Sequence, residues 1–356
     1  MWIQRLYAKN FRNYSDLSIE FDKGVNVIIG ENGQGKTNLL EAIHFAATGR
    51  SFRTEKLSDL IHHAKEETFT HLEYDHHSIE QSIKIQYGEA GKKILVNQTS
   101  YPSFSSLTGT VPTITIAPCD IALIMGSPQE RRRFLNLLIA QHDPFYLIEL
   151  MRYQKALKAR NILLKRQSRE TIKVYETLLA QSATFITKAR LKAVETLSSL
   201  MQSNFLSLTG KNLKVSLNYS FKNTPSLDYF LEQFNKHREQ EEKLGNTLSG
   251  PHRDDFLFLL QEKEAKLYAS EGQKRALLIA LKLAEMTLLK ISTHIDPILF
   301  IDDFAIHLDL YRCQLFEELI QTYPQVFITT PQNLFEEGTS YLIQEAKIEK
   351  LIKHLH

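Results

Sequence analysis

The segment Gly30-Glu31-Asn32-Gly33-Gln34-Gly35-Lys36-Thr37 constrains this chain more than any other feature, because it is a complete phosphate-binding loop in the setting such a loop needs. Residues 25–29 ahead of it read as a buried strand, and residues 38–44 behind it read as a helix with an apolar stripe. Backbone N–H groups at that helix N-terminus can wrap the α- and β-phosphates, and the helix dipole adds attraction. Lys36 is expected to reach the β- and γ-phosphates, and the Thr37 hydroxyl to hold Mg²⁺. Gly30, Gly33 and Gly35 let the backbone close on phosphate with no Cβ in the way. Glu31, Asn32, Gln34 and Asn38 complete the expected nucleotide contacts. The chain reads as a binder of a nucleoside triphosphate.

Its 356 residues exceed a usual single core, so about two structural units are expected. An apolar fraction of 43% and a charged fraction of 24% are ordinary for a globular protein. The net charge is only +2, so any nucleic-acid surface must be a local patch. Cys119 and Cys313 are too far apart in sequence to suggest a disulfide framework or a metal site, and they fit a reducing cytosol. No apolar run is long enough for a membrane span, and the N-terminus alternates like a strand without a signal-peptide pattern. A cytoplasmic protein with no membrane partner is the expectation.

Strand character dominates the start, at 2–7, 17–21, 25–29, 71–75, 79–87, 93–96 and 113–116. From Ser127 to about Leu208 glycine almost vanishes and apolar residues recur at helical spacing. Strands are expected again at 213–218, 255–260, 298–301 and 326–329, and helices at 227–244 and 272–290. The economical arrangement is an α/β head built from both chain ends, residues 1–125 and 247–356, with a mostly helical arm, residues 126–246, inserted between them.

Pro297-Ile298-Leu299-Phe300-Ile301-Asp302-Asp303 has the form of a central strand buried on both faces and ending in two acids. Carboxylates at that end sit where α/β sheets place ligands. Asp302 is expected to hold Mg²⁺ through water. Asp303 is placed to polarise the attacking water or take its proton, a catalytic role shared with Lys36. Ser270-Glu271-Gly272-Gln273 opens a helix, and Ser270, Gly272 and Gln273 offer a second anion-binding N-terminus. An ordinary N-cap explains the serine equally well. The order of parts favours the first view. Phosphate loop, long insertion, Ser-x-Gly-Gln helix and acid-ended strand follow one another as in ABC-type ATPase heads of mixed sheets and helices. In those heads the Ser-x-Gly-Gln helix of one subunit covers the γ-phosphate held by another, which makes the dimer depend on ATP.

The early helical region is locally basic. Arg152, Lys155, Lys158 and Arg160 recur along it, and Arg131, Arg132 and Arg133 cluster at a helix start. Cations spaced along a helix suit DNA phosphates, which add affinity without reading sequence. The plainer alternative is a solvated helix face. His62-His63 and His76-His77 invite a metal, yet adjacent strand residues point to opposite faces and no cysteine or carboxylate joins them at ligand spacing. Surface histidines are the expectation.

Several stretches resemble the RecF family, bacterial ATPases of DNA repair and replication. They are Leu6 to Tyr14, Gly33 to Ile43, Gly49-Arg50-Ser51-Phe52-Arg53, Gly126 to Leu135, Gly250-Pro251-His252-Arg253-Asp254-Asp255, Gly272-Gln273-Lys274-Arg275 and Leu281 to Glu285. The resemblance implies a head like that of structural-maintenance-of-chromosomes proteins with a helical arm. It further implies ATP-dependent homodimers that bind duplex DNA beside single-stranded gaps, and slow, DNA-stimulated hydrolysis. RecR, RecO and RecA are the implied partners, in recombinational repair, replication restart and the SOS response. One departure stands out: the family's Ser-Glu-Leu-Asp is Ile306-His307-Leu308-Asp309 here, which replaces a serine hydroxyl with a bulky apolar group. Two rivals stay open, a transporter's ATPase subunit and a DNA-binding module whose ATP is a static tether.

Overall fold

The computed structural model describes residues 1–166, 169–303, 318, 320–331 and 338–351. Chain contacts gather into two compact units, Met1–Asp120 with Leu289–His356, and Ile121–Leu288.

The first unit begins with β1 (Trp2–Phe11), whose alternation buries Ile3, Leu6, Ala8 and Phe11. A tight reversal with Arg12 at φ 52° leads into antiparallel β2 (Tyr14–Glu20). Next come β3 (Gly24–Ile29), the phosphate loop and α1 (Lys36–Thr48). A meander follows: β4 (Glu67–His76), β5 (Ile79–Gly88), β6 (Gly91–Val96) and β7 (Thr99–Tyr101). With β1 and β2 it forms an antiparallel sheet ordered β2-β1-β4-β5-β6-β7. His77 and Ser78 make the β4–β5 turn, both at positive φ, as two-residue hairpins require. That turn ends the strand alternation, so His76 and His77 do not diverge; their rings lie 4.4 Å apart. Among the described residues no cluster of three potential ligands is present. Strand β8 (Thr113–Ile116) closes this part.

In the second unit, α2 (Ala122–Met125), α3 (Pro128–His142), α4 (Pro144–Arg166) and α5 (Arg169–Thr209) precede β9 (Val215–Tyr219). The helix expected over 227–244 is two, α6 (Leu227–Lys236) and α7 (Arg238–Leu244), because His237 leaves helical geometry at φ −96°, ψ 3°. Then come β10 (Phe256–Leu260), β11 (Lys263–Glu264), α8 (Ala265–Tyr268) and α9 (Glu271–Thr293). β10 pairs with β9, and β9 lies against α5, which draws residues 247–288 into the helical unit rather than the head sheet. α5 spans 41 residues, about 60 Å at 1.5 Å per residue. Its side chains cover the free edge of β9: Ser198 Oγ accepts from Leu217 N–H at 3.0 Å and Gln202 Oε1 from Val215 N–H at 2.6 Å. An uncovered edge there would be a template for unwanted pairing.

The chain then returns to the first unit with β12 (Ile298–Asp302), β13 (Gln325–Thr330), β14 (Thr339–Gln344) and β15 (Lys347–Leu351). The resulting sheet runs β15-β14-β3-β13-β12-β8 and is parallel except for the β14–β15 hairpin. Every residue of β12 and β13 is buried, as expected of strands covered on both faces. α1 packs between the two sheets, touching β1, β4 and β5 on one side and β12 and β13 on the other. Gln325, fully buried, cross-links them: its amide accepts from Ile3 N–H at 2.7 Å and donates to the carbonyls of Ile3 and Asp22. Among the described residues no helix is long and apolar enough to cross a membrane.

Candidate functional site

β3 lies between β13 and β14, so the phosphate loop leaves the middle of the parallel sheet at its C-terminal edge. Gly35 sits at φ 115°, and a Cβ there would come within 2.8 Å of Asn13 Nδ2 and 2.9 Å of the Tyr14 hydroxyl. Only glycine fits both the angle and the space. Tyr14 Oη donates to the Gly35 carbonyl at 3.1 Å, and burial pushes this phenol up from its ordinary pKa. Lys36 is buried and spans the loop, donating to the carbonyls of Gly30 at 2.7 Å and Glu31 at 3.0 Å. Its ammonium is thereby held inside the cradle.

Thr37 Oγ1 donates to Asp302 Oδ1 at 2.9 Å, although 265 positions separate the two. Thr329 Oγ1 donates to the same oxygen at 2.7 Å and accepts from Asp303 N–H at 3.0 Å. The first-turn hydroxyl of α1 and the acid at the end of β12 are thus joined. Asp302 is buried, and Asp303 follows it at φ 45°. A hydroxyl and a carboxylate converging this closely are the hard oxygen donors that suit Mg²⁺. Asn38 is engaged elsewhere, donating to Asn13 at 2.8 Å and accepting from Arg53 at 2.8 Å. Ile306-His307-Leu308-Asp309 and Cys313 lie outside the described residues.

Residue spacing did not single out three further groups. Fully buried Glu41 takes Arg12 in a bidentate pair at 2.8 and 2.9 Å, and Ser51 and Arg53 also donate to it. Thus the 10–14 turn and the 49–53 segment meet on one carboxylate of α1. The signal was present: Glu41 interrupts an apolar stripe. The turn between β14 and β15 grips the loop, with Glu345 N–H donating to Gln34 Oε1 at 2.6 Å and Ala346 N–H to the Gln34 carbonyl at 3.3 Å. Thr329 is the third.

In the second unit, Ser270 and Gln273 cap α9 reciprocally. Gln273 N–H donates to Ser270 Oγ at 3.3 Å, and Ser270 N–H to Gln273 Oε1 at 2.8 Å. The plain N-cap is therefore real. Ser270, Glu271 and Gly272 are nonetheless exposed, no atom of the described residues lies within 4 Å of where a Cβ on Gly272 would sit, and Leu267 and Tyr268 just before are each 68% exposed.

The basic residues divide. Arg152, Lys155 and Lys158 are exposed on α4. Arg160 and Arg131, expected among the DNA contacts, are interior groups. Arg160 donates to Glu176 at 2.8 Å, to Glu241 at 2.6 Å and to Thr247, with Phe234 under its guanidinium. Arg131 pairs bidentately with Asp255 at 2.6 and 2.9 Å and donates to the carbonyls of Leu123 and Gly126. Carboxylates distant in sequence neutralise both, which helical spacing cannot reveal. Arg132 is half-buried and donates to the Asp254 carbonyl at 2.9 Å.

That carbonyl belongs to Gly250-Pro251-His252-Arg253-Asp254-Asp255, which the structure makes a knot between helices. Arg190 of α5 donates to the Pro251 carbonyl at 2.6 Å, to Asp254 at 3.4 Å, to Asn136 of α3 and to the Tyr146 hydroxyl of α4. Tyr219 of β9 donates to Asp254. Burial raises the Asp254 carboxyl against the pull of Arg190. His252 sits between the Tyr153 hydroxyl and the Thr247 carbonyl, and burial holds its pKa down at about 4.

A parallel sheet with a phosphate loop at its centre, a hydroxyl–carboxylate pair beside it and a helical unit carrying a Ser-x-Gly-Gln cap define an ABC-type ATPase head with an inserted, mostly helical arm. The same architecture occurs in an Smc head domain from Pyrococcus furiosus, 18% identical, with a TM-score of 0.58 over 98% of this chain and 96% of that one. The family described as RecF/RecN/SMC N terminal domain matches residues 2–350. Within it, the chain belongs to the RecF family. It is 39% identical to the DNA replication and repair protein RecF of Protochlamydia amoebophila over 94% of this chain and 95% of the relative. Identity to RecF of Halalkalibacterium halodurans is 35%, over 98% and 100%. A solved recombination mediator protein RecF–ATP of the RecFOR pathway superposes with a TM-score of 0.91 at 31% identity, over 99% of this chain and 98% of that one.

Proposed function

We propose that this chain binds ATP and DNA in recombinational repair and replication restart, dimerising on ATP and releasing DNA on hydrolysis. The meeting of Lys36, Thr37 and Asp302 carries the reading, supported by ATP in the related RecF structure. Thr37 and Asp302 would hold Mg²⁺, which when bound neutralises phosphate charge. Lys36 would exchange the Gly30 and Glu31 carbonyls for phosphate oxygens, and the loop N–H groups would cradle the rest. Asp303 would orient the attacking water. Ser270 and the open N-terminus of α9 on a second copy would cover the γ-phosphate, so nucleotide favours the dimer by its higher affinity for that state. Functionally, the head is then residues 1–125 with 247–356, and 126–246 the arm.

Exposed Arg152, Lys155 and Lys158 supply backbone contacts to duplex beside a single-stranded gap. By family resemblance, RecR and RecO assist, RecA is the protein placed on the gap, hydrolysis is slow and DNA-stimulated, and the setting is cytoplasmic. Light scattering with and without MgATP and duplex tests the scheme. The intact chain should dimerise with MgATP, and Lys36→Met should stay monomeric. An intact chain that remains monomeric at saturating MgATP with duplex present overturns it.

A further inference from the structure

The Gly250–Asp255 knot satisfies nearly every polar group it contains, which makes its exception informative. Arg131 is matched by Asp255, and Arg190 by Asp254. The other two guanidiniums, Arg132 and Arg253, form no ion pair among the described residues, although Asp255 and Asp254 lie near enough to Arg132 to favour its charge. Arg132 makes one side-chain hydrogen bond among the described residues, to the Asp254 carbonyl, and Arg253 makes none. Arg253 is exposed, and its backbone is fixed by Arg253 N–H donating to the Gly250 carbonyl at 2.9 Å. A Cβ on Gly250 would strike the Tyr153 hydroxyl, so the turn that presents Arg253 is packed shut on its inner side.

Arg132 grips the peptide one residue beyond Arg253, and both lie near enough to His252 to disfavour its protonation. Arg132 is itself lowered from its ordinary pKa by burial and by Arg190. This is a site with excess positive charge on rigid backbone. An arriving anion would relieve the repulsion and pay little ordering entropy for Arg253's main chain. Arginine's planar fork suits phosphate oxygens in particular.

We propose that Arg253 and Arg132 form a phosphate-binding pair that grips the nucleic-acid backbone, an anchor distinct from the α4 lysines. It rests on the DNA-binding reading above and names a fixed contact for it. The phosphate could belong instead to nucleotide on a second copy, so the test has two arms.

Full-length chain is titrated with a fluorescent duplex across about 50 to 200 mM salt; each phosphate contact contributes roughly 0.9 to the log–log slope. Arg253→Gln should weaken binding alike on unrelated sequences and lower the slope by about 0.9, while Arg253→Lys should keep the slope. Arg253 is exposed and makes no side-chain hydrogen bond or ion pair among the described residues, so its variants keep the fold; far-ultraviolet circular dichroism checks this. Lys155→Gln, on α4, should add its own loss independently. In the second arm, MgATP-driven dimerisation of Arg253→Gln is measured without DNA and should match the intact chain. An unchanged slope with lost dimerisation assigns the phosphate to nucleotide and overturns the backbone anchor. No change in either arm removes the pair altogether. An intact chain that binds no duplex defeats the DNA reading itself and this anchor with it, and that result is distinguishable because the unsubstituted protein fails.

Discussion

At the scale of single residues, two side chains around the phosphate loop matter more than their spacing suggests. Gln34 ties the loop to the β14–β15 turn by its side chain and its carbonyl. Gln34→Ala removes one exposed hydrogen bond, a loss of about 1 kcal/mol, or roughly fivefold. A fluorescent ATP analogue should bind that much more weakly, and unchanged affinity would show that the turn does not hold the loop in its binding shape. Glu41 is a larger case. Its carboxylate has no exposed surface and answers Arg12, Ser51 and Arg53 together. Glu41→Ala strands Arg12 beside an emptied polar site, with an expected cost of about 3–5 kcal/mol in urea-monitored stability. A loss below about 1 kcal/mol would mean that water replaces the carboxylate.

At the scale of elements, the ion cluster around Arg160 fastens α4 to α5 through Glu176 and to α7 through Glu241, and Arg238 also pairs with Glu176. Arg160→Ala should destabilise the chain by about 3–5 kcal/mol, because Glu241 loses its buried counter-charge and Glu176 is left with Arg238 at the rim of the cluster. Hydrogen exchange would place the loss in α4 and α7; exchange unchanged there would disprove the fastening. This cluster also explains where sequence stopped being informative. Strand, loop and α1 were legible because the glycines, Lys36 and Thr37 act within one local turn, and β12 because four consecutive apolar residues end in acids. The long helices were legible from their period. Arg160 was not, since a cation on a helix looks the same whether or not carboxylates 16 and 81 positions away reach it. β14 and β15 escaped because Lys347, Glu349 and Lys350 dilute the alternation, and the pairing of Tyr341 with Ile28 cannot be read from either segment alone. β1 runs past its expected end at Tyr7 because Lys9, though exposed, still pairs with Asp16 and Phe69, and buried Phe11 pairs with Tyr14.

For the molecule as a whole, acid should loosen both units over one interval. His44 in the first and His252 in the second are each held down to about pKa 4 by burial. Between the ordinary value of 6.5 and about 4, the unfolded chain binds protons that the folded chain refuses, so stability falls as pH falls through that window and levels off below it. Urea midpoints from pH 7 to about 4 should decline accordingly, and His252→Gln should flatten part of the slope. A slope indifferent to that substitution would argue that the histidine ionises freely. The pairing of Val25 with Val326 has a consequence during synthesis. Ribosomes release the early strand long before β13 and β14 exist, so for most of translation β3 carries two bare edges and the loop beyond it hangs without support. Nascent chains halted short of residue 325 should capture no nucleotide however much of the arm has folded, which makes the emergence of the last strands the moment at which the protein first becomes competent.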